Sequence, residues 1–365
     1  MLRGSWALSL ICAAHLFSSS APAATPLPAN SIANAVQLDA SGNLYLAGFF
    51  FANSSDANAH AFVAKLSPDA SQILWWTPLA GSKDDRAQAL ALGTGNSVYV
   101  TGKTQSADFP TTPGAFDPAS TTAGNTFAAK LDAIGVVVYS TCIPATSGQA
   151  IAVDAAGDAF ITGFLHSGDA LKATPGAVAG APNSSGVTSQ SAFIVALDPA
   201  GSKAVLAIIG FGGTQIALDG NGNIYAAGFF SGPFAPTTAG AFQPAVTARA
   251  CYQSPVLVLP CAHQHIAKID PTGTRLIYAT YLSGTWGATP TGLAVDRGGN
   301  AIIAGTTNSP DYPTTPRAYQ PEYSGNPSSQ ITAVQNRQKS SDPCCKRGLW
   351  VPGTGNLRSG STVSS

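Results

Sequence analysis

Short segments of alternating apolar and small or polar residues recur along the chain, separated by turns rich in Gly, Asp and Asn. One pattern occurs five times: an apolar residue, Asp, two variable residues, Gly, Asn or Asp, and an alternating segment that ends in Gly. The copies span residues 38–48, 92–102, 153–163, 218–228 and 295–305. Because alternation with a period of two is typical of strands with one buried face, each copy predicts a β-hairpin.

The turn of each hairpin contains the residue types that a tight turn requires. Asp caps nearby backbone N–H groups with its short carboxylate, and Gly adopts the left-handed backbone of a hairpin with a bulge. The predicted structural turn residues are Asp39, Gly42, Asp154, Gly157, Asp219, Gly222, Asp296 and Gly299. The second copy departs from the pattern, because Gly93 and Asn96 stand where Asp and Gly are expected.

A second apolar hairpin follows each of the first four copies. It begins with Phe-Val-Ala-Lys-Leu or a variant of that sequence, at residues 62–66, 127–131, 193–197 and 265–269. Two hairpins make four strands, which is the size of a propeller blade. The fifth unit lacks this second hairpin. The predicted fold is therefore an all-β propeller of four-stranded antiparallel blades, with about four complete blades plus a half blade.

A proline-rich element lies between the two hairpins of a unit. Pro-Thr-Thr begins it at residues 110–116, 236–242 and 313–319, and a worn copy occupies residues 173–178. Proline has no N–H group to donate to a sheet, so the element predicts a surface loop anchored by its aromatic residue. Together the three motifs resemble the bacterial β-propeller repeat family SBBP, over about residues 32–320. That resemblance implies export and a propeller fold, and it carries no shared catalytic residues.

The domain boundaries follow from where the repeat starts and stops. The repeat domain is predicted at residues 32–325, and residues 326–365 are polar, basic and aperiodic, which predicts a disordered tail. A frame slip within a longer gene is the alternative explanation for that segment. A propeller with half a blade leaves an open sheet edge near residues 301–306, and exposed edges favour self-association.

The N-terminus has the features of a secretory signal peptide at residues 1–24. Arg3 precedes a mostly apolar segment from Trp6 to Phe17, and small residues follow at positions 21–24. A buried N-terminal helix is the alternative. The apolar segment is too short to span a membrane. The expected location is therefore outside the cell or on its surface, with the periplasm as a further option.

Composition and charge limit the kinds of partner that the chain is expected to bind. Charged residues make up 10% of the chain, and the formal net charge is zero. Residues 24–325 have a net charge of −5, so no basic surface for nucleic acid is expected. Cys251 and Cys261 flank a short insertion, and an oxidising compartment favours a disulfide between them over two buried thiols.

Several side chains have an alternative chemical interpretation. The repeated aspartates are typical of metal sites as well as of turns, but one per blade places them far apart, which favours turns. His263 and His265 lie on one face of a strand without further zinc ligands nearby. Trp75 and Trp76 are typical of a core or of a sugar-binding surface. The segment Asp84-Asp85-Arg86 is typical of a solvated turn.

No metal, cofactor or catalytic residue is predicted. The leading interpretation is a secreted, non-catalytic scaffold that offers a face to an extracellular protein or glycan. A propeller enzyme, such as a lyase, glycosidase or quinone-dependent dehydrogenase, is the second hypothesis. It requires several charged groups that converge on one channel, and this chain has few. A truncated family member without a function of its own is the third hypothesis.

Overall fold

A computed structural model describes residues 26–336, apart from the nine gaps in that range. The gaps are residues 29, 54, 119–123, 167–169, 181–190, 232–234, 248–249, 255–256 and 323–330. The predicted signal peptide and the segment after residue 336 lie outside the described residues. Within the described ranges the single helical segment is a 3₁₀ turn at Thr94–Asn96, and no helix is long and apolar enough to cross a membrane.

Successive strands pair with their neighbours in sequence, which builds one antiparallel sheet per repeat. Blade 1 consists of β1 (Ser31–Leu38), β2 (Leu44–Phe50), β3 (His60–Leu66) and β4 (Ile73–Leu79). Blade 2 consists of β5 (Asp85–Leu92), β6 (Val98–Thr104), β7 (Asn125–Leu131) and β8 (Val137–Ile143). Blade 3 consists of β9 (Ser147–Val153), β10 (Ala159–Leu165), β11 (Ser191–Leu197) and β12 (Ala204–Ile209).

Blade 4 differs from this plan by an insertion, and blade 5 has three strands among the described residues. Blade 4 consists of β13 (Gln215–Leu218), β14 (Ile224–Ser231), β17 (Ala262–Ile269) and β18 (Leu276–Tyr281). A separate hairpin of β15 (Ala250–Ser254) and β16 (Leu257–Pro260) is inserted before β17. Blade 5 consists of β19 (Ala288–Val295), β20 (Ala301–Thr307) and β21 (Ile331–Asn336).

Buried clusters join each blade to the next. One cluster packs Tyr45 and Trp75 of blade 1 against Leu90 and Val100 of blade 2, and similar clusters join blades 2 and 3, 3 and 4, and 4 and 5. The first strands of successive blades contact one another, as expected for strands nearest a central axis. The predicted all-β propeller of four-stranded blades is confirmed. Each blade has a front face, which is turned toward the preceding blade, and a back face on its opposite side.

The fifth unit has one strand more than the two that the repeat pattern indicates. β21 pairs antiparallel with β20, joining Ala301 to Asn336 and Ile303 to Val334, so the edge expected to be open is covered over most of its length. The unit has three described strands, not a half blade of two. The third strand begins at Ile331, inside the segment predicted to be a disordered tail. Its sequence lacks the Phe-Val-Ala-Lys-Leu motif, and it pairs because β20 supplies a ladder of free backbone groups.

The Pro-Thr-Thr loops run beside the fourth strands of their own blades. Thr112 donates its N–H to the carbonyl of Ser140 in β8 (2.9 Å), and Thr238 does the same to Ala279 in β18 (3.1 Å). The Thr238 hydroxyl in turn accepts the Ala279 N–H (3.1 Å). The loops thus occupy part of the hydrogen-bonding edge of the outermost strand. Covering an edge in this way hinders its pairing with another chain.

Candidate binding groove

An open groove of about 450 Å³ lies where blades 4 and 5 meet. Three loops line it: the Pro-Thr-Thr loop of blade 4, the connection from β18 to β19, and the loop after β20. The lining residues are Phe242, Gln243, Ala245, Val246, Thr247, Ser283, Gly284, Thr285, Asp311 and Pro313. This set combines one aromatic ring with amide and hydroxyl groups, and it contains no Lys or Arg.

Phe242 is the most distinctive side chain of the groove, because it is 54% exposed. Its counterpart in blade 2, Phe116, packs against the cluster between blades 2 and 3 and donates its N–H to Gly201 in the last turn of blade 3 (2.8 Å). In blade 3, Val178 donates in the same way to Gly273 of blade 4 (2.8 Å). The equivalent turn of blade 5 follows β21 and lies outside the described residues. The described part of blade 5 therefore leaves the Phe242 ring accessible.

Beside this ring, Gln243 fixes the wall of the groove. Its side-chain oxygen accepts the N–H of Ser283 (2.9 Å), and its side-chain nitrogen donates to the Ser283 carbonyl (2.9 Å). Its own N–H donates to Thr280 Oγ1 in β18 (2.9 Å). The amide therefore holds the loop of blade 4 against the β18–β19 connection. A groove built on such paired contacts is largely formed before any ligand arrives.

Asp311 closes the groove on the side of blade 5. It accepts hydrogen bonds from the N–H of Thr285 (2.9 Å) and from the Thr285 hydroxyl. Blade 2 contains the same clamp, where Asp108 accepts from the N–H and the hydroxyl of Ser82 (both 2.9 Å). Burial opposes ionisation of Asp311, but the bonds from Thr285 outweigh it and lower the pKa of the carboxyl. Asp311 is thus a repeated structural clamp that contributes a carboxylate to the rim.

The inserted hairpin stands close to this rim. A disulfide joins Cys251 to Cys261, whose Cα atoms are 4.8 Å apart. Cys251 Sγ lies 3.7 Å from the carbonyl oxygen of Trp286, the residue after Thr285. The Trp286 side chain is 42% exposed. Two exposed aromatic residues, Phe242 and Trp286, therefore belong to segments that line or adjoin the groove.

The repeated aspartates lie at the predicted turns, one in each of blades 1, 3, 4 and 5. Each accepts a backbone N–H four residues later: Asp39 from Asn43, Asp154 from Asp158, Asp219 from Asn223 and Asp296 from Asn300 (2.8–3.0 Å). The predicted turn glycines have positive φ: Gly42 81°, Gly157 92°, Gly222 77° and Gly299 73°. These conformations favour glycine. The structure gives these residues turn contacts.

Two of these turns carry an additional polar network. Asp219 Oδ2 lies 3.1 Å from Lys268 Nζ and accepts a hydrogen bond from the Tyr225 hydroxyl (3.1 Å). The Lys268 ammonium stands 4.7 Å from the centre of the Tyr225 ring. The same hydroxyl lies 2.7 Å from the carbonyl oxygen of Gly299 in blade 5. Blade 1 repeats the arrangement, with Asp39, Tyr45 and Lys65 in these positions.

The remaining candidates occupy separate structural environments. His263 is buried with Nδ1 2.9 Å from Ser283 Oγ, and His265 is buried with Nε2 2.9 Å from the Pro236 carbonyl. Burial lowers the pKa of both rings, that of His265 to about 4. The described residues contain no group of three or more His, Cys, Asp or Glu side chains suited to a metal ion.

Trp75, Trp76 and the predicted charged turn also have structural surroundings. Trp75 is 4% exposed and donates its indole N–H to the carbonyl of Ala133 (3.1 Å). Trp76 is half-buried, with its ring 5.8 Å from that of Phe50. Asp84 pairs with Arg86 (2.9 Å) and Lys103 (3.3 Å), and Asp85 is fully buried. Sequence reasoning placed these residues in one turn, whereas Asp85 begins β5.

Comparison with known proteins supports the resemblance over one repeat. The SBBP β-propeller repeat family matches residues 277–313, which run from β18 of blade 4 to the Pro-Thr-Thr loop of blade 5. The resemblance noted in the sequence is confirmed for this segment. No curated protein sequence matched the chain.

Solved structures with a similar backbone are distant in sequence. A protein of unknown function from Dyadobacter fermentans is 12% identical, with 78% of this chain and 77% of that chain covered and a TM-score of 0.42. The WD40 β-propeller domain of Doa1 is 11% identical over 74% of each chain, with a TM-score of 0.31. A GH43_1 enzyme from Xanthomonas citri, complexed with xylotriose, is 12% identical over 76% of this chain and 82% of that chain, with a TM-score of 0.35.

Proposed function

We propose that this chain is a secreted, non-catalytic β-propeller scaffold that binds a neutral glycan in the groove between blades 4 and 5. The observation that carries the proposal is the exposed ring of Phe242 beside polar walls that the protein itself fixes. An exposed aromatic ring offers an apolar platform to the C–H face of a sugar. Amide and hydroxyl groups around it supply both donors and acceptors for sugar hydroxyls.

The charges of the groove favour a neutral ligand over an anionic one. Asp311 is the one charged residue in its lining, and bonds from Thr285 occupy its carboxylate. An anionic polysaccharide or a phosphate group requires Lys or Arg for tight binding, and the lining contains neither. A neutral oligosaccharide matches the ring, the amide of Gln243 and the hydroxyl-bearing residues Thr247 and Ser283.

A printed array of neutral oligosaccharides, followed by titration calorimetry with the best-bound sugar, tests the proposal. Phe242→Ala removes the platform, and we expect it to weaken binding by up to about tenfold, since an aromatic contact contributes about 0.5–1.5 kcal/mol. Tyr319→Ala is the matched control, because Tyr319 holds the same loop position in blade 5, is 77% exposed and does not line the groove.

A chain ending at residue 336 provides a second control. It should bind the sugar as the full chain does if the described residues alone form the site. The proposal is wrong if no neutral glycan binds above background, or if Phe242→Ala and Tyr319→Ala weaken binding equally. Capture of a protein partner that is insensitive to Phe242→Ala would point to another face of the propeller.

A further inference from the structure

The front face of blade 1 is a blade-packing surface that the described residues leave uncovered. Val36 in β1 is 58% exposed. Its equivalents, counted back from the turn Asp position of each unit, are Leu90, Ile151 and Ile216, which are 4%, 7% and 7% exposed. The same sequence pattern is therefore buried in blades 2, 3 and 4 and open in blade 1.

The neighbouring positions of this face follow the same rule. Leu38 is 63% exposed. Leu44 and Leu46 of β2 are half-buried, whereas their equivalents in blade 2, Val98 and Val100, are fully buried against blade 1. Val36 pairs with Leu46 and Leu38 with Leu44 across the β1–β2 ladder, so the four side chains form one continuous patch. Four branched apolar side chains on one face indicate a surface meant for packing.

The surface that fits this patch lies at the other end of the same chain. In each internal interface, the front face of one blade packs on the back face of the blade before it. Blade 5 has a back face with no following blade among the described residues. Ala294 on that face is exposed and Ile302 is half-buried, whereas Tyr225, the equivalent of Ile302 in blade 4, is fully buried.

We propose that the occupant of the blade 1 front face is the blade 5 back face of a second copy of this chain. The part of the chain that the structure describes has one open surface of each kind and forms no buried cluster between blades 5 and 1. Such a contact is heterologous, because it joins two different surfaces, so it builds closed rings or open chains of subunits. It differs from edge-to-edge pairing, because it buries a sheet face and leaves the strand edges free.

Complementation between two variants of the full chain tests the interface. A front variant, Val36→Asp with Leu38→Asp, changes two exposed residues of blade 1. A back variant, Ala294→Asp, changes one exposed residue of blade 5. Each should raise the dissociation constant for self-association about a hundredfold or more, because a charge would be buried in an apolar contact. Mixed together, they should form a one-to-one dimer, because one retains an intact back face and the other an intact front face.

The control variant is Val138→Asp with Val205→Asp, which changes residues that are 52% and 44% exposed on fourth strands. It should self-associate like the unmodified chain, since neither residue belongs to a buried cluster between blades. Sedimentation velocity measures the masses, and circular dichroism checks that each variant is folded. A monomeric unmodified chain overturns the proposal. A mixture of the front and back variants that stays monomeric also overturns it. That result would indicate that blade 5 of the same molecule, or another segment, covers the patch.

Discussion

The turn aspartates stand in two structural environments, one with a Tyr–Lys network and one without it. Replacing Asp219 by Asn tests what that network contributes to stability. Asp219 Oδ1 accepts the backbone N–H groups of Asn221 and Asn223 (both 3.0 Å). Its Oδ2 faces two obligate donors, the Asn223 amide (2.8 Å) and the Lys268 ammonium (3.1 Å), and the Tyr225 hydroxyl (3.1 Å), whose single proton the Gly299 carbonyl also attracts. An asparagine preserves the first oxygen and puts an NH₂ group against the two obligate donors. The Asp219 side chain is 8% exposed, so water cannot readily satisfy them.

The magnitude follows from these contacts. Loss of hydrogen bonds to a buried charged group costs about 1.5–3 kcal/mol of unfolding free energy, and we expect Asp219→Asn to fall in that range. The matched control is Asp154→Asn. Asp154 accepts the backbone N–H of Asp158 (2.8 Å), and Phe160 and Ala196 replace the Tyr and Lys of the network. The charge of Asp154 also raises the pKa of Asp158, after burial as the larger cause. Asp154→Asn should therefore change stability by about 0.5 kcal/mol or less.

The pH dependence gives the same experiment a second readout. Burial opposes ionisation of Asp219, but the bonds from Asn223 and Lys268 outweigh it and lower its pKa from 3.8 to about 2. A carboxyl whose pKa is lowered on folding contributes stability above its unfolded pKa and loses it as pH falls through the folded value. The difference between the unmodified chain and Asp219→Asn should therefore shrink between pH 4 and pH 2.

Urea unfolding followed by tryptophan fluorescence, repeated across this pH range, measures both effects. Equal losses for Asp219→Asn and Asp154→Asn at pH 7 would refute the reasoning, because they would show that the Tyr–Lys network adds nothing to the turn. A difference that does not change with pH would refute the assignment of the effect to the Asp219 charge.

Three further outcomes are expected. Tyr225→Phe removes the hydroxyl that reaches Gly299 and should lower the unfolding free energy by about 1 kcal/mol, whereas Tyr319→Phe, at a 77% exposed position, should leave calorimetric melting unchanged. Asp85→Asn removes a fully buried carboxyl whose pKa is raised by burial. The melting temperature of this variant, relative to that of the unmodified chain, should therefore rise from pH 4 to pH 7. A difference that stays constant over this range would contradict the prediction. A non-reduced digest of material from an oxidising compartment should contain Cys251 and Cys261 in one linked pair of peptides by mass spectrometry, and free alkylation of both would contradict it.

The blades were predictable because their signals are local. An Asp, a Gly three residues later and an alternating strand lie within eleven residues, and their turn contacts are made inside that window, as the bonds of Asp39 and Asp296 to nearby backbone show. β21 was missed because its pairing depends on the partner strand. The segment Ile331-Thr332-Ala333-Val334-Gln335-Asn336 alternates weakly and lacks the repeat motif, and β20 supplies the ladder that fixes it.

The groove was not predictable, because local sequence is the same where burial differs. Phe116 and Phe242 end nearly identical loops, Pro-Thr-Thr-Pro-Gly-Ala-Phe and Pro-Thr-Thr-Ala-Gly-Ala-Phe. The first ring packs under a turn of the next blade and the second is 54% exposed. What decides the difference is the neighbour in space, and no property of the seven residues encodes it. The same reasoning applies to Val36 and Leu90, whose patterns match and whose exposures are 58% and 4%.

Four hydrogen-bonding contacts between blades point forward along the chain. Phe116 and Val178 donate to glycines of the following blade, and the hydroxyls of Tyr99 and Tyr225 reach glycine carbonyls of the following blade in the same direction. Each unit thus carries donors for its successor and acceptors for its predecessor. A break within a unit therefore separates a donor for the next blade from an acceptor for the preceding one, whereas a break between units keeps both in one unit.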